Sequence, residues 1–239
     1  MMKRINWDYL NNASNHRKLL QYLGEFVTNN RKARIEEVLA NRTRKLTIVL
    51  EDIYKPHNAS AVLRTAECFG VQDIHLVEQN HEYAVNPYVT RGAASWLTLH
   101  RYNNPTVNNI SACMDDLRKG GYGILATSVN PKAESIENVQ PARKTAVIFG
   151  TEYEGISSYV QQHADGFIKI PMLGFTESYN LSVSVAIILQ MLMPQIRKLD
   201  NWNLSEDEKD ELRLDWYRQI VKNSEIHIKR FNELNKSGF

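Results

Sequence analysis

The sequence predicts an α/β protein with a largely parallel sheet, because short apolar runs rich in β-branched residues alternate with amphipathic helical segments. The strand-like runs cover residues 46–50, 74–77, 96–102, 123–129, 145–149 and 167–172. With 239 residues, 43% hydrophobic and 23% charged, the chain is long enough for one sizeable domain with appendages. We place this domain at residues 46–198, with helical extensions at 1–45 and 199–239.

The N-terminal extension is predicted to be helical and basic. Apolar residues spaced by three and four predict two helices between residues 5 and 40, separated near Asn29 and Asn30. Lysines and arginines outnumber acidic residues here, although the net charge of the whole chain is only +2. Two interpretations stay open: an arm that binds phosphates, or an ordinary solvated helical face.

The first helix of the predicted domain covers residues 58–70, and Asn58 is placed as its N-cap. Its apolar face consists of Ala59, Val62, Ala66 and Phe69. Ser60, Arg64 and Glu67 are assigned to the opposite, polar face. Considered alone, Arg64 is interpreted as an exposed partner of Glu67, a pair that contributes little to stability.

Two loops follow predicted strands without a familiar phosphate-binding signature. Residues 80–95 show little periodicity, which is typical of a functional loop. Residues 149–157, FGTEYEGIS, leave a strand and turn at Gly150 and Gly155. No run in the chain matches the dinucleotide-binding G-x-G-x-x-G or a P-loop, and the histidines lack metal-ligand spacing. We therefore expect no bound metal and no ordinary dinucleotide chemistry.

The densest signal lies in residues 167–193, FIKIPMLGFTESYNLSVSVAIILQMLM. A strand leads into a polar loop, and Asn180 is placed as the N-cap of a helix that begins at Leu181. Between residues 181 and 193 only Ser182, Ser184 and Gln190 are polar, which predicts a helix buried on nearly all sides. Either the core or a second subunit would cover it, since it is too short to span a bilayer.

The C-terminal extension opens with a capping box, Ser205 and Glu208, which predicts the start of a helix. After that helix the sequence predicts a basic polar tail. Cys68 and Cys113 form no C-x-x-C pair and are interpreted as buried thiols. With no signal peptide, transmembrane run or lipidation motif recognised, we expect a cytoplasmic protein that is not bound to a membrane.

Three runs stand in a fixed order along the predicted domain: NASAVLRTAECFG at 58–70, FGTEYEGIS at 149–157 and IPMLGFTESYNLSVSVAIIL at 170–189. Together they resemble the three motifs of the SPOUT RNA 2′-O-ribose methyltransferases. The run KPHN at 55–58 is most similar to the TrmH-like branch, which acts on guanosine 18 of tRNA. The resemblance extends over residues 46–198.

This resemblance implies a SPOUT-type parallel sheet with a C-terminal trefoil knot, a homodimer, and S-adenosylmethionine bound in the knot. RNA, above all tRNA, is the implied partner, with the terminal extensions assisting RNA binding and dimerisation. Residue by residue, the resemblance assigns catalytic positions to Arg64, Asn58, Glu152, Ser178 and Asn180. It assigns cofactor contacts to Thr127, Gly150, Ile170, Met172, Leu181 and Ser182.

Arg64 is expected to act electrostatically. Methyl transfer from a sulfonium requires an in-line oxygen nucleophile and stabilisation of the charge that develops on it. Because an arginine side chain stays protonated, we assign Arg64 to stabilising the ribose 2′-oxygen and the adjacent phosphate, with proton abstraction as the costlier alternative.

Three other functions stay open at this point. They are a ribosomal-RNA methyltransferase of the same family, a non-catalytic RNA-binding or assembly protein on the same fold, and a flavodoxin-like nucleotide-binding enzyme. The presence of Arg64, Glu152, Ser178 and Asn180 favours an enzyme over a non-catalytic protein. The lack of phosphate-binding fingerprints disfavours the flavodoxin-like enzyme.

Overall fold

The computed structural model describes residues 13–81, 83, 86–151 and 153–236. The chain divides into two compact units, one of residues 42–203 and one that combines the residues up to 41 with those from 204 onward. In chain order the elements are α1 (Ala13–Gly24), α2 (Asn29–Leu39), β1 (Leu46–Glu51), α3 (Pro56–Phe69), β2 (Asp73–Val77), α4 (Pro87–Thr90), β3 (Thr98–Tyr102), α5 (Asn109–Lys119), β4 (Gly123–Thr127), β5 (Glu134–Ser135), β6 (Thr145–Phe149), α6 (Ser158–His163), β7 (Gly166–Lys169), α7 (Leu181–Ile196), α8 (Glu206–Ile220) and α9 (Ser224–Lys236).

Within the described part of the chain, seven strands form one sheet in the order β3-β2-β1-β6-β4-β7-β5. Every pairing is parallel; Ile48 of β1, for example, lies opposite Ile74 of β2 and Val147 of β6. All residues of β1 are buried, as expected for a parallel strand that is covered on both faces. The prediction of an α/β fold with a parallel sheet is confirmed.

Helices cover both faces of this sheet. On one face, α3 and α7 pack against each other and share an apolar cluster with the strands, to which Ile48 and Leu189 belong. On the other face, α5 and α6 contribute Met114 and other side chains to a second cluster. Cys113 is buried in that second cluster as predicted, whereas Cys68 is exposed on α3, contrary to prediction. The loops that follow the carboxyl ends of the parallel strands share one edge, where open α/β sheets bind ligands.

Helix α3 begins earlier than the sequence predicts. Lys55 is its N-cap, and Pro56 occupies the first helical position. A backbone N–H at that position has no partner within the helix, so a proline there loses no hydrogen bond. The placement of Asn58 as N-cap is therefore wrong: Asn58 lies in the first turn and is buried. Ser60, which was assigned to the polar face, is fully buried, and its hydroxyl hydrogen-bonds the hydroxyl of Tyr83 at 2.8 Å.

Helix α7 has the predicted N-cap but not the predicted burial. Asn180 Oδ1 accepts the backbone N–H of Ser182 at 2.9 Å, which confirms the cap. The inner face of α7 joins the cluster beneath α3. On the outer face, however, Val183 is 44% and Met191 is 38% exposed, so burial on all sides is wrong for the single chain. Neither α7 nor any other described helix has the length and apolarity needed to cross a membrane.

Several predicted strands are shorter in the structure. β3 starts at Thr98 because a 3-10 turn (Ala93–Ser95), with Trp96 as its C-cap, precedes it. β4 stops at Thr127, two residues before the predicted end. β7 stops at Lys169, since Pro171 has no N–H to donate to a sheet ladder.

The unit formed by the two ends of the chain contains α1, α2, α8 and α9. The capping box of α8 is confirmed: Ser205 Oγ accepts the Glu208 N–H, and the Glu208 carboxylate accepts the Ser205 N–H. Helix α9 occupies the region predicted as a polar tail, so that prediction is wrong. Its Phe231 is buried, with its ring centroid 5.5 Å from that of Tyr22 on α1. Residues 5–12 of the predicted first helix lie outside the described residues.

Candidate active site

The first and third predicted motifs meet through two asparagines. Asn180 Nδ2 donates a hydrogen bond to Asn58 Oδ1 at 3.2 Å, across 122 positions of sequence. Asn180 Oδ1 meanwhile accepts the N–H and the O–H of Ser182 at 2.9 and 2.7 Å. One side chain therefore holds the start of α7 against the first turn of α3, and three predicted site residues lie together.

Arg64 lies on α3, six residues after Asn58 and thus about 9 Å farther along the helix axis. Its side chain is exposed and forms no hydrogen bond or ion pair with any described residue. The pairing of Arg64 with Glu67 is wrong, because Glu67 Oε1 instead accepts from Nη2 of the buried Arg42 at 2.7 Å. Arg64 is a surface cation that is available to a ligand.

The predicted cofactor contacts come from three neighbouring strands. β6, β4 and β7 are adjacent in the sheet, so the loops that follow them leave it side by side. Thr127 Oγ1 donates to the carbonyl oxygen of Ile148 at 3.2 Å, which ties the end of β4 to β6. Ile170 is half-buried and packs against the cluster beneath α3 and α7. Thr127, Gly150 and Ile170 therefore lie at the same edge of the sheet.

Gly150 is required by a close approach of two backbone segments. A Cβ added at Gly150 would lie 2.1 Å from the carbonyl carbon and oxygen of Gly155, a separation that no side chain tolerates. Thr151 and Gly155 exchange N–H···O hydrogen bonds of 2.9 and 3.1 Å, and Gly155 has a φ of 72°, in the left-handed region. The segment 151–155 is therefore a tight hairpin. Glu152, a predicted catalytic residue, lies outside the described residues.

The loop between β7 and α7 is largely exposed. Ser178 is exposed and forms no hydrogen bond with the described residues, so its place in the site stays a prediction. Leu173 and Phe175 are fully exposed, while Met172 is half-buried. Leu181, at the start of α7, belongs to the buried cluster. Exposed apolar side chains grouped in one loop are typical of a surface that a ligand or a second chain covers.

Two contacts near the site are not indicated by the sequence. Lys55 Nζ lies 5.8 Å from the ring centroid of Tyr153, within the range of a cation–π interaction, and joins the loop before α3 to the 151–155 hairpin. Tyr83 joins the loop after β2 to Ser60, and burial raises the pKa of its hydroxyl, which keeps it protonated. Lys55 stands in the KPHN run, but nothing in the spacing of these residues indicates that they meet.

A family model described as the SpoU rRNA Methylase family matches residues 45–190, more than half of the chain. The chain belongs to this family. Among curated SpoU relatives, the tRNA (guanosine(18)-2′-O)-methyltransferase of Borreliella burgdorferi is 46% identical over 207 residues, covering 86% of this chain and 93% of its own length. A protein of the same name from Thermus thermophilus is 34% identical over 195 residues, 80% of this chain and 98% of its own length.

Solved SpoU structures have the same fold. The A. aeolicus TrmH/SpoU tRNA modifying enzyme aligns with a TM-score of 0.71 at 27% identity, covering 81% of this chain and 98% of that one. The SpoU methyltransferase AviRb from Streptomyces viridochromogenes, solved in complex with AdoMet, aligns with a TM-score of 0.55 over 66% of this chain and 63% of its own. AviRb is 19% identical and supports the fold alone. The SPOUT-type sheet is confirmed, and the trefoil knot stays a prediction.

Proposed function

We propose that this protein is an S-adenosylmethionine-dependent methyltransferase that modifies the ribose 2′-oxygen of guanosine 18 in tRNA. The observation that carries this proposal is the 3.2 Å hydrogen bond between Asn180 and Asn58, which unites two motifs on the exposed side of the sheet edge. Two relatives that are named for this activity match over 86% and 80% of the chain, which supports tRNA as the substrate. A tRNA substrate in turn implies a cytoplasmic enzyme.

Arg64 is the residue assigned to the chemical step. The ribose hydroxyl is a poor nucleophile, and charge develops on its oxygen as the methyl group is transferred. The guanidinium of Arg64 is exposed and is not bonded to any described residue, so its donors are available to the 2′-oxygen and the neighbouring phosphate. Ser178 and Glu152 are assigned to the same site on the strength of the motif resemblance.

The residues at the cofactor edge fit S-adenosylmethionine. When bound there, the cofactor supplies an electrophilic methyl group on a sulfonium. Three adjacent loops offer both apolar side chains for an adenine ring and hydroxyls for polar groups. The six residues proposed to hold it are Thr127, Gly150, Ile170, Met172, Leu181 and Ser182.

The outer face of α7 supports a homodimer. Val183, Ile187 and Met191 follow one another at intervals of four on that face, and none of them is fully buried. The fully exposed Leu173 and Phe175 precede the same helix. Exposed apolar side chains grouped on one face of a helix are expected to be covered by another protein surface, and a second copy would present the same face.

The basic N-terminal extension contributes fewer free cations than its composition suggests. Arg42 is buried against Glu67, and Arg44 Nε donates to Asp73 at 3.0 Å, so both have structural roles. Lys18 on α1 and Arg31 on α2 are exposed, and their side chains have no partner among the described residues. We assign phosphate binding to these two residues.

The proposal is tested by incubating the purified protein with S-adenosylmethionine and an unmodified tRNA transcript, then mapping 2′-O-methyl groups by mass spectrometry. We expect one methyl group at guanosine 18 and none in a ribosomal-RNA fragment. Methylation of the ribosomal RNA alone would assign the enzyme to that substrate instead. Failure to methylate either RNA would refute the catalytic assignment.

The cofactor assignment is tested separately by calorimetric titration with S-adenosylmethionine. Gly150→Ala forces the backbone of Gly155 to move and is expected to abolish binding. Gly174→Ala is the matched control, because a Cβ there meets open space. Equal affinities of the two variants would remove Gly150 from the cofactor site.

A further inference from the structure

A cleft of about 700 Å³ opens at the carboxyl edge of the sheet, on the side of α5 and α6. Its walls come from the ends of β1 and β2, the loop before α5, Thr151 and residues 154–159. The volume lies within the range of pockets that bind small organic ligands. The described residues that line it do not include Asn58, Asn180, Arg64 or any of the six proposed cofactor residues.

Glu51 supplies the cleft with a buried carboxyl group. The residue is only 5% exposed, yet it lines the cleft. Among the described residues its hydrogen bonds come from Ser157 alone, whose backbone N–H donates to Glu51 Oε2 at 3.0 Å. A carboxylate can accept about four hydrogen bonds, so Glu51 retains acceptor capacity toward the cleft. Burial raises the pKa of Glu51, which is the sign of a carboxyl whose charge is poorly solvated and would gain from further donors.

Asp52, the next residue, has a different role. Its Oδ1 accepts backbone N–H groups from Gln79, Asn80 and His81 at 2.8–3.1 Å, and its Oδ2 accepts from Asn80 Nδ2 at 2.7 Å. Burial alone would raise the pKa of Asp52, but these hydrogen bonds outweigh it and lower the pKa. Asp52 is saturated by the loop after β2 and builds the wall of the cleft, which leaves Glu51 as the acceptor for a ligand.

Gln79 supplies donors on the same wall. Its Oε1 accepts the backbone N–H of Asn109 at 3.2 Å, which fixes the orientation of the carboxamide and leaves Nε2 without a partner among the described residues. Val107, Ile110 and Ile156 add apolar surface that suits the faces of a ring. The described residues that line the cleft include no lysine or arginine, so the site does not suit a phosphate group.

We propose that this cleft binds a guanine base of the substrate RNA, with Glu51 accepting from the ring N1–H and the 2-amino group and Gln79 donating to O6. Guanine presents two neighbouring donors beside one acceptor, which matches a carboxylate beside a carboxamide N–H; adenine presents the opposite pattern at ring positions 1 and 6. The inference rests on the proposed function in one respect only, namely that the guanine base belongs to an RNA substrate. The match between the hydrogen-bonding groups of guanine and those of Glu51 and Gln79 is argued from the cleft alone.

The cleft adjoins the candidate active site through shared segments. Asp52 lies three residues before Lys55, the N-cap of the helix that carries Asn58 and Arg64. Thr151 and Gly155 line the cleft and also form the hairpin that packs on Gly150. The Lys55–Tyr153 contact joins these two segments directly. A base seated in the cleft would therefore fix the position of the RNA relative to Arg64.

The first test measures free nucleosides against the full-length protein by ligand-detected NMR, without any turnover. We expect guanosine to bind more tightly than inosine, which lacks the 2-amino group, and at least about tenfold more tightly than adenosine, since one matched pair of hydrogen bonds discriminates by roughly that factor or more. Equal binding of the three nucleosides, or no binding at all, would overturn the inference.

Two variants connect this preference to the named residues. Glu51→Gln keeps an oxygen for the Ser157 N–H but halves the acceptor set, and Gln79→Glu keeps the oxygen for Asn109 but removes the donor. Each should weaken guanosine binding about tenfold or more and reduce the preference over adenosine. Glu137→Gln, the same change at an exposed carboxylate outside the cleft, should bind like the parent. Because Gln79 lies on an exposed loop, Gln79→Glu decides the matter if Glu51→Gln fails to fold.

A third measurement separates failure of the inference from failure of the proposed function. The parent protein and Gln79→Glu are compared on tRNA transcripts with guanosine or adenosine at position 18. We expect the parent to prefer guanosine and Gln79→Glu to lose that preference through a raised KM. Methylation by the parent with the same preference retained in Gln79→Glu would refute the cleft and leave the enzyme assignment intact. Selective binding of guanosine without any methylation would support the cleft and refute the enzyme assignment.

Discussion

Helices α3 and α7 pack against each other on one face of the sheet, yet their outer faces have opposite chemistry. The outer face of α3 carries the exposed Arg64 and the half-buried Glu67. The outer face of α7 carries the partly exposed Val183, Ile187 and Met191. Inside, both helices bury aliphatic side chains in one cluster. A charged outer face is compatible with water or a polyanion, whereas an aliphatic one is stable only when another apolar surface covers it.

This difference assigns separate roles to two helices that are joined at one point. The Asn58–Asn180 hydrogen bond connects the first turn of α3 to the N-cap of α7. Through it, the helix that is proposed to face RNA and the helix that is proposed to face a second subunit share one rigid contact. Changes on either outer face should therefore affect different measurements.

The largest expected effect comes from the outer face of α3. Arg64→Ala should lower the single-turnover rate by two to three orders of magnitude, since one preorganised donor to a developing oxyanion contributes roughly 3–4 kcal/mol. Arg64→Lys should also be impaired, because it retains the charge but loses the planar fork of donors. The measurement is single-turnover methylation at saturating tRNA and cofactor.

The control for Arg64→Ala is its fold and cofactor affinity. Because the side chain is exposed and forms no hydrogen bond or ion pair with the described residues, thermal unfolding and cofactor binding should match the parent. A parental methylation rate in Arg64→Ala would exclude Arg64 from the reaction.

The second effect tests the outer face of α7. Val183→Glu places a charge in the proposed subunit contact, where desolvation opposes association. In sedimentation at micromolar concentration, the parent should run at about twice the 27.6 kDa chain mass and the variant near that mass. Val107→Glu is a matched control, since both valines are 44% exposed. A parent that sediments as a monomer and still turns over would eliminate the dimer.

A smaller effect concerns Ser60, a polar residue that lies on the buried side of α3. Ser60 is fully buried, hydrogen-bonds the Tyr83 hydroxyl and accepts the Asn86 N–H at 3.1 Å. Ser60→Ala should lower the free energy of unfolding by about 1–3 kcal/mol, because the buried Tyr83 hydroxyl and the partly buried Asn86 N–H lose their partner. Urea denaturation measures this change. Ser178→Ala removes an exposed hydroxyl without a described partner and should change stability by no more than about 0.5 kcal/mol.

The smallest effect measures the joint between the helices. In a double-mutant cycle, Asn58→Ala and Asn180→Ala should show a coupling of about 1 kcal/mol in the free energy of unfolding, the usual net contribution of a neutral hydrogen bond. The cost of Asn180→Ala alone should also include the loss of the cap of α7. Strictly additive effects would mean that the 3.2 Å contact contributes nothing measurable in solution.

The local features of the fold follow from the sequence, and the tertiary ones do not. Asn180 was predicted as an N-cap because it directly precedes an apolar run, and that local rule is sufficient. Asn58 was misplaced because Pro56 starts α3 before the apolar periodicity begins. The burial of Ser60 depends on Tyr83, twenty-three positions away, which periodicity within a helix does not register.

The outer face of α7 illustrates a second limit. Apolar residues on all sides of a helix predict that every side is covered, but the pattern is the same whether the cover is the chain's own core or another molecule. The missed helix α9 has a simpler cause: its apolar positions are few, and most of the segment is polar and charged. Burial of Phe231 against Tyr22 stabilises a helix that the segment alone does not indicate.

The separation of 122 positions between Asn58 and Asn180 also sets the time at which the site can form during protein synthesis. At about 5–20 residues per second, the ribosome needs roughly 6–24 s after making the first asparagine to make the second. Over that interval the first turn of α3 lacks its partner. The terminal unit waits longer still, because its first helices precede residue 42 and the rest of its chain begins at residue 204. A nascent chain of this protein is therefore unable to hold its completed site before residue 180 has been made, which separates the early part of translation from any RNA modification by the same molecule.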